Sequence, residues 1–189
     1  MKTEQLEEII DDLANWRKQR HLTLNMQLQG LLPNLLEEAL ELTRATNSYD
    51  RIDALCDLAV FSLNTLGHKA NPKDIVKHFS QMSNRSNRYE YVLCNYPSIL
   101  LDITETFLYA DESDEEHTIN LASLRSLVAQ CFAYIYRHKF DPFKCMKETI
   151  KEISSRTGKF DKSIGKWIKD TSNEAKSKWY KADYAKCSR

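Results

Sequence analysis

The sequence predicts an all-α fold, an antiparallel helical bundle, on three observations. Only four glycines and four prolines punctuate 189 residues, so few tight turns are available. Leu, Ala, Glu and Lys, all good helix formers, are plentiful. Apolar residues recur three and four positions apart along segment after segment, the spacing of one helix face. The length suits one well-buried core with, at most, an appendage.

Taken in order, the first helix is expected over about Glu4 to Lys18, where Leu6, Ile9, Ile10, Leu13 and Trp16 form one apolar stripe. His21–Thr23 breaks the pattern. A second helix runs from near Asn25 to about Thr43, with Pro33 either bending it or marking a fresh start. Ser48 or Asp50 is expected to cap the third helix, about Tyr49 to Leu66, which stops at Gly67. Asn71–Pro72 opens a short helix through about Met82, and SNRSN after it is a loop. The apolar stretch Tyr91 to Tyr109 is interrupted near Pro97. The acidic loop Asp111–Glu116 separates it from a helix over about Thr118 to Arg137. The last clear helix starts after Asp141–Pro142 and reaches about Ser154. Beyond Arg156, loop with short helical pieces is expected.

Charge and cysteine content narrow the function classes. Lys plus Arg and Asp plus Glu both total 27, so no overall charge draws the chain to nucleic acid or membrane. The balance is uneven, however: from Lys144 onward thirteen basic residues face six acidic ones, a surplus of seven, which leaves −7 for the part before it. Such a distribution suits cations at one end and phosphates at the other, or simply a solvated basic tail. Cys56, Cys94, Cys131, Cys145 and Cys187 are odd in number, widely spaced and without a CxxC pair. That argues against a disulfide framework or zinc ribbon and for reduced thiols in the cytoplasm. No signal peptide or spanning apolar run is visible. Neither a P-loop, a GxGxxG nor a nucleophile elbow is present, and the five histidines form no metal-type pair.

The chemistry-bearing residues lie on two successive helices. LLEEALEL carries Glu37, Glu38 and Glu41, and RIDALCDLAVF carries Asp53 and Asp57. Residues three or four apart share a helix face, so Glu38 and Glu41 point one way, as do Asp53 and Asp57. Asp57 sits among Leu55, Cys56, Leu58 and Ala59, where a solvated face would offer lysines and glutamates. Carboxylates meeting between packed helices repel one another, and a divalent cation removes that penalty. All-oxygen ligands suit Mg²⁺, or Mn²⁺ as a substitute, rather than zinc. The plainer readings are an exposed ExxE face and, for Asp53, a first-turn residue favoured by the helix dipole.

The block NLLEEALELTRATNSYDRIDALCDLAVFSLNTLG resembles the two-helix core of the all-α nucleotide pyrophosphohydrolases, the superfamily of MazG, dimeric dUTPases and phosphoribosyl-ATP pyrophosphohydrolase. Its second half departs from the superfamily's ExxD: Ala54 stands at the matching position and Asp53 one residue earlier, giving DxxxD. FDPFKCMKETIKEISSRTGKFDKSIGKWIKD and the following WYKADYAKC are similar to the C-terminal portion of the phosphoribosyl-ATP-pyrophosphohydrolase-like, often phage-encoded, branch. The resemblance implies a MazG-like bundle that converts a nucleoside triphosphate to the monophosphate and pyrophosphate with Mg²⁺. It implies Glu38, Glu41, Asp53 and Asp57 as metal ligands and Glu37 as the residue that orients or deprotonates water. Arg156, Lys159, Lys166 and Lys169 become phosphate contacts by the same analogy. Trp16, Gln27, Gln29 and Asn34 are base or sugar candidates from their position before the acidic motif, and Trp167 as a stacking ring.

On this reading residues 1–157 form the catalytic domain, with 70–139 as an insertion or extra helices. Residues 158–189 complete the phosphate site. A homodimer or homotetramer is expected, without a membrane and without nucleic acid. The competing accounts are a dUTPase-like or phosphoribosyl-ATP-specific enzyme, or a non-catalytic helical protein with a nucleic-acid-binding tail.

Overall fold

The computed structural model describes residues 1–83, 96–108, 119–163 and 166–189. It is mainly helical: α1 (Thr3–Gln19), α2 (Leu24–Arg44), α3 (Ser48–Leu66), α4 (Pro72–Ser83), α5 (Tyr96–Leu108), α6 (Leu121–Arg137), α7 (Pro142–Ser155) and α8 (Asn173–Lys178). Among the described residues the strands are β1 (Gly158–Asp161) and β2 (Lys166–Lys169), an antiparallel ribbon pairing Phe160 with Trp167. This ribbon corrects the expectation of loop just after Arg156, while the short helical pieces expected there are present as α8 and a 3₁₀ turn at Tyr184–Cys187.

Local chemistry explains where the helices begin and end. Thr23 caps α2, its hydroxyl accepting from the Met26 amide at 3.2 Å. α2 then passes through Pro33 without a second start. Pro33 and Gln29, the residue whose carbonyl loses its bond, are both exposed, so water can satisfy that carbonyl. The cap of α3 is Asn47 rather than Ser48 or Asp50: its side-chain oxygen accepts from the amides of Tyr49 (2.9 Å) and Asp50 (3.0 Å). α3 stops at Gly67, whose φ of 52° favours glycine. A Cβ there would also stand 2.8 Å from a Leu24 methyl carbon.

Pro97 sits in the first turn of α5, which begins at Tyr96. Residues 91–95 and 109 of that apolar stretch lie outside the described residues, as does the acidic loop Asp111–Glu116. So does SNRSN apart from Ser83, which ends α4. Asn120 caps α6, accepting from Ala122 and Ser123, so the helix starts at Leu121 rather than Thr118. Asp141 does the same for α7.

α3 is the central helix. Ile52, Ala54, Leu55, Cys56, Leu58, Ala59, Val60, Leu63 and Leu66 are all buried on it, against α2, α6, α1 and α7. A three-residue connection folds α3 back along α2, which makes the pair an antiparallel hairpin. α4, α5 and α6, within the stretch 70–139, contribute to the same core through Ile75, Phe79, Ile99, Ile103, Leu127 and Phe132. Cys56, Cys131, Cys145 and Cys187 are buried free thiols; Cys94 lies outside the described residues. No helix among the described residues is long and apolar enough to cross a membrane.

Candidate metal and phosphate site

The α2–α3 hairpin brings the predicted acids to one locus. On α3 the residues that are neither fully buried nor exposed, Arg51 apart, fall on a line one turn apart: Asp53, Asp57, Phe61 and Thr65. On α2 the corresponding line is Glu38, Asn34, Gly30 and Gln27, with Glu41 continuing it into solvent. Because the helices are antiparallel, the acidic end of one line meets the acidic end of the other.

The carboxylates feel one another strongly. Burial pushes Glu38 up to about 8, assisted by the negative charges of Asp57, Glu41, Asp53 and Glu37. Its Oε2 atom is buried and has no hydrogen-bond partner. Burial, then Asp53, raises Asp57 to about 7, with Arg156 opposing the rise and Glu152 and Glu41 adding to it. Asp53 is also raised, chiefly by burial, although a hydrogen bond from Tyr184 works the other way.

A further acid comes from α7. Glu152 is buried and charged: burial pushes its carboxyl up, but the Ala182 amide, Arg156 and Lys181 outweigh that and hold it below the usual range. The Arg156 guanidinium donates to Glu152 Oε1 at 3.0 Å, while its Nε is buried without a partner. The Trp179 indole N–H is likewise buried and unpartnered, with the Lys169 ammonium 5.4 Å from its ring centre. Burial lowers Lys169, as do its neighbours Arg156, Lys176 and Lys181, and only Asp57 pulls it upward. A cationic group therefore stands beside the acidic one, with two unused N–H donors within it.

Arg20 builds the floor under this corner. It is buried between the rings of Trp16 (4.9 Å) and Trp167 (5.4 Å) and donates to the carbonyls of Ile153, Ser154 and Arg156, each at 3.2 Å. These carbonyls close the C-terminal end of α7, so one arginine joins α1, α7 and the ribbon.

Electrostatic coupling thus unites Glu38, Glu41, Asp53, Asp57, Arg156 and Lys169, with Glu37 exposed at the margin beside Glu38. Lys159 lies exposed on β1, and the Lys166 side chain lies outside the described residues. Trp16 and Trp167 are engaged with Arg20, Gln29 is exposed, and Gln27 and Asn34 lie on the half-buried line.

Sequence reasoning missed Glu152, Trp179, Lys181 and Tyr184. Glu152 had a signal: it keeps helical register with buried Cys145, Thr149 and Ile153, the same acid-in-an-apolar-stripe argument that picked out Asp57. The other three sit in short irregular segments with no periodicity.

Among the described residues, no three His, Cys, Asp or Glu groups converge into a ready-made metal cage. The donor set nevertheless fits a hard divalent cation: it is all carboxylate, mutually repelling, and includes a buried oxygen without a partner. No family model, curated protein or solved structure matches the chain.

Proposed function

We propose that this chain is a Mg²⁺-dependent nucleotide pyrophosphohydrolase with a MazG-like bundle, cleaving a nucleoside triphosphate to the monophosphate and pyrophosphate. The observation that carries the reading is the unpartnered buried oxygen of Glu38 among Asp57, Glu41 and Asp53, facing a cationic group with unused donors. Buried polar atoms without partners are uncommon, and opposed acceptors and donors in one corner suit a bound metal and a bound phosphate respectively.

Glu38, Glu41, Asp53 and Asp57 are the residues that would hold Mg²⁺, or Mn²⁺ in its place. The cation, when bound, neutralises charge on the phosphate oxygens and makes coordinated water more acidic. In the reaction, water oxygen bonds to the α-phosphorus and the bridge to the β-phosphate breaks, so pyrophosphate leaves with the electron pair. A Glu37 carboxylate oxygen takes the proton from that water. Arg156 and Lys169 stabilise the charge that builds on the departing pyrophosphate, and the Trp179 N–H adds a neutral donor beside them. Gln27 and Asn34, further along the α2 line, supply amide groups for the base or sugar.

The basic C-terminal segment bends back to Glu148 and Glu152 through Tyr180, Ala182 and Asp183. That arrangement favours a phosphate role over capture of nucleic acid by a free tail.

The test is pyrophosphate release from the common ribo- and deoxyribonucleoside triphosphates and dUTP, with and without Mg²⁺. Metal-dependent release is expected, and the preference profile separates a general role from a dUTPase-like one, while no release from any of them would point to a specialised substrate such as phosphoribosyl-ATP. Asp57→Asn should lower turnover by on the order of 100-fold or more, since even partners of ligands cost 10–100-fold. Full turnover by that variant would remove the assigned site.

A further inference from the structure

The last residues of the chain form a strap across α7. The Ala182 amide donates to Glu152 at 2.9 Å and the Asp183 amide to Glu148 at 3.0 Å. Beyond them, a 3₁₀ turn (Tyr184–Cys187) is tied to the α6–α7 corner, where Asp141 N–H donates to the Cys187 carbonyl at 2.8 Å and Arg189 N–H to that of Lys139 at 2.9 Å. The strap is therefore fixed on both sides of Tyr184. That residue is buried, and its hydroxyl reaches Asp53 Oδ1 at 2.7 Å, across 131 positions of sequence.

We propose that Tyr184 is a positioning residue for the metal site, holding Asp53 by one carboxylate oxygen so that the other is presented to the cation. The inference rests on the metal-site reading above. A carboxylate can only accept, and a phenol has one proton to give, so the Tyr184 proton goes to Asp53. The phenol oxygen is held from its other side by Thr149, whose Oγ1 lies 2.9 Å away and shares its single proton between the phenol oxygen and the Cys145 carbonyl at 3.0 Å. The hydroxyl is thus pinned between α3 and α7, and its direction is not free to vary. With Oδ1 committed to the phenol, Oδ2 is the oxygen left for a ligand role. This is the geometry by which partners behind a metal ligand set its orientation and affinity.

The experiment is Mn²⁺ binding to the full chain by electron paramagnetic resonance, in wild type, Tyr184→Phe, Asp53→Asn, the double variant and Asp57→Asn. Phenylalanine keeps the buried ring and removes only the hydroxyl. Tyr184→Phe should weaken Mn²⁺ binding by roughly 10-fold or more, and by less than about 2-fold in the Asp53→Asn background, because the two changes remove one interaction. Wild-type affinity in Tyr184→Phe, or an equal loss in both backgrounds, overturns the proposal and leaves the metal site standing. Wild-type affinity in Asp57→Asn, or no Mn²⁺ binding by the wild type, overturns the metal site itself. Should Tyr184→Phe fail to fold by circular dichroism, Thr149→Val decides: it releases the phenol on one side, and about 2- to 5-fold weaker binding is expected. Unchanged affinity there counts against the proposal.

Discussion

Glu38 carries most of the site's tension in a single side chain. Burial, and then four neighbouring acids, raise its carboxyl to about 8, and Asp57 follows at about 7. Both values exceed those of unfolded carboxyls, so the folded chain keeps protons that the unfolded chain releases. Stability therefore falls as pH rises from the unfolded values near 4 towards 7 and 8. A divalent cation competes with those protons and reverses the trend. Without metal, the Tm should decline between about pH 5 and pH 8.5, and the gain on adding Mg²⁺ should grow over the same interval. At a Mg²⁺ concentration about 100 times its Kd the gain would be ~2.7 kcal/mol, or roughly 5–10 °C in a chain of this size. Differential scanning fluorimetry across pH, with chelator or with Mg²⁺, checks it; a metal-free Tm independent of pH would refute it. Glu38→Gln should raise the metal-free Tm near pH 8, flatten the pH profile and remove most of the Mg²⁺ gain, because an amide neither ionises nor binds the cation well. A Gln variant less stable than wild type in chelator would contradict the assignment.

At the level of elements, the β1–β2 ribbon joins the cationic group to the bundle. Gly158 is what lets it close: a Cβ there would stand 2.3 Å from the Ile168 carbonyl oxygen and 2.8 Å from Trp167 Nε1. Neither the backbone carbonyl nor the Trp167 ring, which lies against Arg20, can move aside cheaply. Gly158→Ala should cost about 1–3 kcal/mol, as overpacking does, and shift tryptophan fluorescence to the red as Trp167 leaves Arg20. Because β2 also carries Lys169, substrate affinity should suffer more than the Mg²⁺ site. Wild-type Tm and fluorescence in this variant would show that the ribbon tolerates the methyl. The same element marks where reading the sequence stops. GKFD and KWIK are four residues each, without the alternation that signals a strand, and pairing Phe160 with Trp167 is a tertiary event. Helices were legible because their apolar stripes are long: Leu6, Ile9 and Leu13 on α1, and Leu55, Ala59 and Leu63 on α3, are buried as their spacing predicts. End positions were less so, since Asn47, Ser48 and Asp50 are all competent caps and the cap is Asn47. In the candidate site, the acids of α2 and α3 were legible from their intrusion into apolar faces. Glu152 could have been found the same way, and the Tyr184–Asp53 contact could not, because nothing local encodes it.

For the molecule as a whole, the outer face of α2 is the feature that bears on assembly. Leu32, Leu36 and Leu40 recur one turn apart and are 41%, 50% and 47% exposed, and the neighbouring α5 shows Leu100 at 44% and Leu101 at 55%. Together these five leucines offer on the order of 450 Å² of apolar surface, close to the apolar share of the ~800 Å² that each partner buries in a standard interface. The spacing is symmetric about Leu36. A two-fold axis there would set each Leu32 against Leu40 of the partner subunit and Leu36 against its own copy, the self-complementarity an isologous dimer needs. The stripe also adjoins Glu37 and Glu41, the exposed members of the acidic group, so a second copy would exclude water from the open side of the site. We therefore expect a homodimer through α2, to which a further pairing could add a tetramer. Sedimentation equilibrium at tens of micromolar should report a dimer or larger for the wild type. Leu36→Lys, which places two like charges at the axis, should give a folded monomer with unchanged helical circular dichroism. A wild-type monomer at that concentration, or a Leu36→Lys variant that remains a dimer, would exclude this face as the interface. If the monomeric variant also turns over substrate more slowly while binding Mn²⁺ normally, then closure of the site by the second subunit, rather than the metal ligands, is the step that was lost.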